Sequence, residues 1–344
     1  MGKKVLFIAP PYMGLYKDII EEMEKQGYDV TYIKEVVRPE DPDNIRGYKG
    51  LKKFFLVNRN RFTKKNETYW NDILNTRAKD AYDILFVLNG QSLSPCIFKI
   101  LKERNPQLYC TNYMFDTTKG IYRFDKNFKY FDKIASFDRE ESEKYGIKLL
   151  PIYWKPSPLR EIKYKFFGMG AFKKDRFQLF KAVSGFAMIN GYDSFIKLYV
   201  LKINCVKLKS QIRKFLNIQQ AKVNKEEYYS DLTTHVIMPL SQFNELLDSS
   251  EIILDTNAPH QDGLTSRFMQ ALGNEKKIIT TNSSAEKYDF YTSEQIYVVK
   301  NIDEILSKER FSSFVKAPLK LSDSIRDAIS VARIDNWIKF LLEE

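Results

Sequence analysis

The sequence is poor in cysteine, histidine, glycine and proline. Its 344 residues include three cysteines, two histidines, 14 glycines and 12 prolines. Three cysteines exclude a disulfide scaffold, and Cys96, Cys110 and Cys205 show no CxxC spacing. The two histidines, His235 and His260, are too few to favour a zinc site. The low glycine and proline contents exclude collagen-like and low-complexity chains.

Long hydrophobic runs are also missing. No apolar stretch reaches the ~18–20 residues that a membrane span requires. The apolar run 5–9 is followed directly by Pro10 and Pro11, and it is shorter than the apolar region of a signal peptide, which has about 7–15 residues. We therefore expect a cytoplasmic protein.

Apolar residues, aromatic residues and positive charge are abundant. The sequence is 44% hydrophobic and 14% aromatic, which argues against disorder. Its length fits roughly two domains at ~150 residues each. The net charge of +11 is compatible with binding nucleic acid, an anionic membrane surface or a phosphorylated small molecule.

Strand and helix patterns alternate along both halves of the chain. The opening order is a buried strand over 3–9, a helix over 16–26 and a second strand over 29–33, which predicts a parallel sheet with crossover helices. The alternation restarts after the prolines at 156 and 158. We predict an α/β protein with two tandem Rossmann-like, doubly wound domains, 1–155 and 156–321, and a final helical segment, 322–344.

The stretch 252–282 contains the clearest site pattern: strand, polar loop, glycine, helix, glycine and strand. Ligands of open parallel sheets bind at the carboxyl ends of strands. A helix beginning at Gly263 offers backbone N–H groups and the positive end of its dipole to an anion. Arg267, in its first turn, can place its guanidinium on a diphosphate. We therefore expect Arg267→Ala to weaken nucleotide binding without altering folding. The alternative is an Asp262 helix cap and a surface arginine.

This stretch also resembles a known family. Residues 261–282 read QDGLTSRFMQALGNEKKIITTN, and 288–291 read YDFY. They resemble the donor-binding signature of GT-B glycosyltransferases, and more narrowly that of bacterial capsular and lipopolysaccharide glycosyltransferases. The similarity is strong over 240–300 and weaker over 82–154.

The resemblance implies a GT-B fold with an interdomain cleft and transfer of a sugar from a nucleotide sugar to a hydroxyl of a surface glycan. The N-terminal domain would hold a glycan or lipid-linked glycan acceptor, and the C-terminal domain would hold the donor. The final helix would pack back on the N-terminal domain. Neither a catalytic metal nor another cofactor is implied.

The resemblance also implies donor-binding residues. Asp262 and Gln270 have the spacing of the E-x7-E pattern of many GT-B enzymes, although neither is glutamate; Asp262 would contact the sugar, and Gln270 the ribose. The predicted glycine loop 168–176, which follows a short strand, would form a second anion site. The implied donor contacts are Gly168, Gly170, Lys173, Arg176, His260, Gln261, Asp262, Gly263, Leu264, Thr265, Arg267 and Gln270. Solvated surface positions are the alternative for Gln270 and for the basic side chains of 168–176.

An inverting transferase needs a base close to the acceptor hydroxyl. Asp116 follows the predicted strand 108–113, and Asp138 follows the next strand in the same way. Asp116 is the preferred candidate and Asp138 the weaker one. The alternative for Asp116 is a cap of the turn 117–120.

Segment 46–65 carries eight cationic residues and no acidic one, interleaved with aromatic residues. This composition favours contact with an anionic membrane surface or a lipid-linked acceptor, and hence a peripheral membrane location. The alternative is a solvated helix face. We expect no nucleic-acid partner, because no RNA-binding signature is present. The cations proposed for this role are Arg46, Lys49, Lys52, Lys53, Arg59 and Arg61.

Two other functions remain open at this stage. A nucleotide-sugar epimerase on the same fold would need no acceptor surface. A non-enzymatic protein that binds nucleic acid or membranes would bind no nucleotide sugar. Asp41 and Asp43 form a D-x-D pair, a motif that binds metal and nucleotide sugar in the other major glycosyltransferase fold, but their proline-containing context favours a turn.

Overall fold

The computed structural model describes residues 2–11, 14–35, 64–118, 124–200, 226, 230–257, 262–307 and 309–343. The chain forms two compact units. Unit 1 comprises Met1–Pro151 and Ile334–Glu344, and unit 2 comprises Ile152–Arg333. The sequence analysis places this boundary after residue 155, four residues later.

Unit 1 contains a six-stranded parallel sheet in the order β2-β1-β3-β4-β5-β6. Its strands are β1 (Lys4–Ala9), β2 (Asp29–Lys34), β3 (Ile84–Leu88), β4 (Tyr109–Met114), β5 (Lys133–Ser136) and β6 (Lys148–Leu149). Its first helices are α1 (Leu15–Lys25), α2 (Lys64–Thr76), α3 (Cys96–Arg104) and α4 (Arg139–Tyr145), with a 3-10 helix at Phe124–Tyr130. Strands β1 and β3 are almost wholly buried and apolar because helices cover both faces of such a sheet.

Unit 2 contains a second parallel sheet, in the order β12-β11-β10-β7-β8-β9. Its strands are β7 (Tyr164–Ala171), β8 (Ser194–Tyr199), β9 (Thr233–Thr234), β10 (Ser250–Asp255), β11 (Lys277–Thr280) and β12 (Ile296–Val298). Its helices are α5 (Lys174–Ile189), α6 (Leu240–Asp248), α7 (Ser266–Gly273), α8 (Asp303–Ser307), α9 (Glu309–Lys316) and α10 (Asp323–Ser330), with a 3-10 helix at Ser283–Lys287. The predicted fold class, two Rossmann-like domains in tandem, is confirmed.

The prediction of a single final helix in the segment 322–344 is wrong. The structure has two helices there: α10 belongs to unit 2, and α11 (Ile334–Leu342) belongs to unit 1. Trp154 holds the break between them, because its backbone N–H donates to the carbonyl of Ala332 at 2.9 Å and its indole N–H donates to that of Ile329 at 3.0 Å. The apolar spacing continues across the break, so the sequence pattern gives no sign of it.

Helix α11 completes the core of unit 1. Trp337 is fully buried and packs edge-on against Phe86 of β3 and Tyr113 of β4. Lys133 of β5 donates to the carbonyls of Phe340 and Glu343 at the carboxyl end of this helix. Aromatic burial and a cation at the negative end of the helix dipole therefore fix α11 on the sheet.

Two local predictions for unit 2 are also wrong. The predicted glycine loop at 168–170 lies inside strand β7, because neither glycine interrupts the pairing with β8. The predicted helix 263–272 begins at Ser266, because the Thr265 side chain accepts the backbone N–H of Phe268 and so caps the helix three residues later.

Among the described residues, no helix combines the length and the apolarity needed to cross a membrane.

Candidate functional site

The strand order of unit 2 reverses between β7 and β10. The chain runs outward from β7 to β8 and β9 on one side, and from β10 to β11 and β12 on the other. At such a reversal the two following loops diverge and leave a crevice beyond the carboxyl ends of the strands, where ligands of doubly wound sheets bind. Here those ends are Ala171 and Asp255.

A buried ion pair lies at the end of β10. The Asp255 side chain is 1% exposed and the Arg267 side chain 12%. Asp255 Oδ1 accepts from Arg267 Nε at 3.1 Å, from Arg267 Nη2 at 2.9 Å and from Thr265 Oγ1 at 2.7 Å. Arg267 Nη1 donates to the carbonyl of Met169 in β7. One guanidinium thus ties β10, β7 and the start of α7 together.

The ion pair alters the interpretation of Arg267. Both parts of the alternative are wrong, since Thr265 rather than Asp262 caps the helix and the arginine is not a surface residue. The expectation that Arg267 can be removed without a loss of folding stability is also revised, because Asp255 would be left as a buried charge without its cation.

Arg176 is the second guanidinium at this edge, in the first turn of α5. Its Nε donates to Thr256 Oγ1 at 2.7 Å, and its Nη1 donates to the carbonyl of Ala171 at 2.7 Å. These acceptors are neutral, and within the described ranges no carboxylate forms an ion pair with Arg176. Burial, with the nearby positive charge of Arg267, lowers the pKa of Arg176 to about 10.

Lys173 adds positive charge at the same place. It is the extended residue directly before α5, and burial, followed by repulsion from Arg176, lowers its pKa. Cations are unfavourable at a helix amino terminus, where the dipole is positive. Arg176 and Lys173 therefore place two cations beside the amino terminus of α5, with Asp175 and Asp255 as the nearby acids.

The two glycines of β7 have packing roles. A Cβ on Gly170 would lie 2.6 Å from Arg176 Nη1, so the glycine leaves room for the guanidinium. A Cβ on Gly168 would lie 2.9 Å from Leu254 Cδ1 and 3.0 Å from Phe180 Cζ, in the core of unit 2. Gly170 thus shapes the candidate site through Arg176, whereas Gly168 leaves room for the core side chains of Leu254 and Phe180.

The Gln270 amide is used within unit 2, which differs from the predicted contact with a ribose. Its Nε2 donates to the carbonyl of Lys155 at 2.8 Å and to Ser157 Oγ at 2.9 Å, and its Oε1 accepts from the Lys155 N–H at 3.1 Å. Asn274 also donates to that carbonyl, at 3.0 Å. Gln270 therefore fixes the segment that enters unit 2 onto helix α7.

The other predicted donor residues lie before α7. Leu264 is buried, and the Asn282 amide donates to the carbonyls of Asp262 and Gly263 at 3.2 and 3.4 Å. Asn282, which follows β11, thus holds the backbone of the two residues Asp262 and Gly263 just before helix α7. His260 and Gln261 lie outside the described residues.

The sheet of unit 1 reverses between β1 and β3, so a second ligand-binding edge is expected there. Asp116 lies at this edge, two residues beyond β4, and Asn89, directly after β3, donates to Asp116 Oδ2 at 3.4 Å. Asp138 instead caps α4: it is 1% exposed and accepts the Glu141 N–H at 3.1 Å. The Asp138 carboxylate therefore serves as a helix cap, whereas Asp116 lies at the ligand-binding edge of unit 1.

Glu35 is a residue that the sequence analysis missed. It is 4% exposed, and its carboxylate accepts the N–H of Gly90 at 3.2 Å, the N–H of Ser92 at 2.7 Å and Ser92 Oγ at 3.1 Å. Its position was the available signal, because an acidic residue directly after the second strand of a doubly wound domain lies at the ligand-binding edge.

No group of three or more His, Cys, Asp or Glu residues that could hold a metal ion occurs in the parts of the chain that the structure describes. The six cations of the basic segment, Arg46, Lys49, Lys52, Lys53, Arg59 and Arg61, lie outside those parts, as do Asp41 and Asp43.

No protein-family model and no curated protein matches the chain. Solved structures do. UDP-GlcNAc 2-epimerase from Neisseria meningitidis bound to UDP-GlcNAc has a TM-score of 0.53 and 12% identity, with 99% of this chain and 98% of that chain covered. The putative UDP-N-acetylglucosamine 2-epimerase from Listeria monocytogenes has a TM-score of 0.50 and 12% identity, with 98% and 94% covered.

These comparisons establish the class of fold. Two parallel six-stranded sheets with flanking helices, matched over nearly the whole chain, define a two-domain α/β protein of GT-B type. At about 12% identity the likeness extends to the fold alone.

Proposed function

We propose that this protein is an enzyme that binds a nucleotide sugar, with the diphosphate at the β7/β10 edge of unit 2. The observation that carries the proposal is Arg176, a partly buried guanidinium held by neutral oxygens beside Lys173. A diphosphate would supply the missing negative charge, and a planar guanidinium can bind it through two parallel hydrogen bonds. Both solved structures described above are of enzymes whose names include a UDP-sugar, which supports this ligand class.

Two reactions are compatible with such a site. Glycosyl transfer to a hydroxyl is favoured by the resemblance over 240–300 to capsular and lipopolysaccharide glycosyltransferases, with Asp116 as the base. Epimerisation of the sugar is favoured by the structural comparison, since the two solved structures described above are 2-epimerases by name. The two reactions differ in what happens to the donor when the enzyme is given the donor without an acceptor.

The first test uses the whole protein and a panel of nucleoside diphosphates, with UDP first. Calorimetry should show saturable binding of at least one of them. NMR of UDP-GlcNAc incubated with the enzyme then separates the two reactions: appearance of the 2-epimer identifies an epimerase, whereas release of UDP that increases with added glycan acceptor identifies a transferase. Binding of no nucleotide in the panel would reject the proposal.

We further propose that catalysis is independent of a metal ion. Arg176, Lys173 and the amino terminus of α5 can neutralise a departing diphosphate, which is the task that a divalent cation performs in other transferases. Turnover should therefore persist in EDTA. Complete loss in EDTA that manganese restores would instead favour a metal site at Asp41 and Asp43.

The basic segment 46–65 is proposed to contact an anionic membrane surface or a lipid-linked acceptor. Eight cations without an acidic residue support this proposal. The test measures binding to anionic vesicles, at low and high salt, by the wild type and by a variant with Lys52, Lys53, Arg59 and Arg61 neutralised. We expect the wild type to bind and its binding to weaken at high salt, because ions screen exposed charges, and we expect the variant not to bind. If the wild type does not bind the vesicles at low salt, the segment is a solvated face.

A further inference from the structure

The loop after β3 in unit 1 is held by buried polar side chains from several elements. Glu35 accepts its N–H groups at Gly90 and Ser92. The carbonyl of Ser92 accepts from Asn66 Nδ2 and from Trp70 Nε1, each at 3.0 Å. This loop, 89–92, lies at the reversal of strand order, where a doubly wound sheet binds its ligand.

Asn89 has an unusual backbone within this loop. Its φ is 62°, and within the described ranges only Glu275 shares a positive φ among residues other than glycine. Asparagine tolerates this left-handed region better than most residues, although glycine is less strained there. Asn112, a fully buried residue of β4, donates to the carbonyl of Asn89 at 3.2 Å and to that of Val87 at 3.1 Å. The Asn89 backbone is therefore fixed from the neighbouring strand.

The Asn89 side chain connects this fixed backbone to Asp116. It is 6% exposed, its Oδ1 accepts the N–H of Phe115 at 2.8 Å, and its Nδ2 donates to Asp116 Oδ2 at 3.4 Å. The first contact fixes which way the amide faces, because the oxygen is committed to a backbone donor. The second lies at the long end of the range for a hydrogen bond.

We propose that Asn89 is the positioning residue of the unit 1 site: its amide holds Asp116 Oδ2 and so orients the carboxylate that would take the proton of a substrate hydroxyl. The inference rests on the proposed function, in which Asp116 is the base. It adds the reason why this carboxylate, rather than that of Asp138, is set up for proton transfer. Asn89 moves no proton, and the Asp116 oxygen gains the proton that the hydroxyl loses.

Two variants test the inference. Asn89→Gly removes the amide while keeping a backbone that glycine adopts without strain. Asn89→Asp keeps the size of the side chain and places a second carboxylate beside Asp116. Both remove a donor that stabilises the charged carboxylate, and the second adds like-charge repulsion, so the titration of Asp116 should move to higher pH. We expect a shift of about half to one pH unit for Asn89→Gly and a larger one for Asn89→Asp.

The shift is measured directly by carbon NMR of the whole protein labelled at the aspartate carboxyl carbon, with the Asp116 signal identified through Asp116→Asn. For turnover of UDP-GlcNAc with a glycan acceptor that increases UDP release, the acid limb of the pH–rate profile should move in the same direction, with kcat reduced about three- to tenfold and KM for the donor little changed. The matched control is Glu275→Gly, the same kind of substitution at the other left-handed position, which lies in unit 2 and should alter neither measurement.

The outcomes separate the inference from the proposed function. A wild type that binds no nucleoside diphosphate overturns the proposed function. The positioning role alone is overturned if the wild type binds a nucleoside diphosphate but the Asp116 signal titrates at the same pH in the wild type and in both Asn89 variants. Circular dichroism of each variant confirms that the comparison is made on folded protein.

Discussion

Replacing Arg267 with alanine is expected to lower the free energy of unfolding by about 3–5 kcal/mol, the usual cost of removing one partner of a buried ion pair. Asp255 is 1% exposed, and Thr265 would be its remaining side-chain hydrogen-bond partner among those described above. The carbonyl of Met169 would lose its donor at the same time. Urea denaturation followed by circular dichroism measures the change.

The matched control for this prediction is Arg326→Ala. Arg326 also pairs with an acid, Glu275, but the two side chains are 45% and 50% exposed. Water replaces such an exposed partner, so the expected loss is at most about 1 kcal/mol. The double variant Asp255→Asn, Arg267→Met should recover part of the stability lost in Arg267→Ala, because no buried charge is left unpaired. A loss below about 1 kcal/mol in Arg267→Ala would contradict the structural role of the pair.

Replacing Arg176 with methionine is expected to leave the stability of the protein almost unchanged and to weaken nucleotide binding. The guanidinium is held by the neutral oxygens of Thr256 and Ala171, so its removal leaves no carboxylate unpaired. The hydrogen bonds lost are offset by relief of the desolvation that lowers the pKa of Arg176 to about 10. The free energy of unfolding should thus change by less than about 1 kcal/mol.

Nucleotide affinity should fall steeply in the same variant. A charge-assisted hydrogen bond contributes roughly 1.5–3 kcal/mol, so the Kd for UDP, or for whichever diphosphate of the panel binds wild type, should rise about 10- to 150-fold. Lys181→Met, which removes one exposed cation from the same helix, should change it less than twofold. If calorimetry shows unaltered binding by Arg176→Met, the diphosphate does not bind at this edge.

The two arginines illustrate how far the sequence alone could predict the site. The strand–loop–helix pattern around 252–282 identified the correct edge of the sheet, because parallel strands bring their carboxyl ends together whatever their loops contain. The pattern could not distinguish a guanidinium already paired with Asp255 from one held by neutral oxygens. That distinction depends on contacts around the ends of β7 and β10, which join residues 98 and 80 positions apart in the sequence.

The errors in the sequence-based predictions have a common cause. Helix ends were placed from glycines, but α7 begins where Thr265 finds the N–H of Phe268. The break before α11 is held by Trp154, which is distant in the sequence. Glu35 was missed because its partners, Gly90 and Ser92, belong to another strand–helix connection. Each of these features is decided by a partner that periodicity within one segment does not reveal.

The sequence by itself determined the two parallel-sheet domains of this protein, because buried apolar strands alternating with amphipathic helices leave few other arrangements. The tertiary structure decided which charges are neutralised. Asp255 and Arg267 pair in the interior, Arg176 stays without a carboxylate partner in the part of the chain described, and Asn89 reaches Asp116 from a fixed loop. The energy of a charge depends on its burial and on the groups within a few ångströms, and only the folded chain sets both.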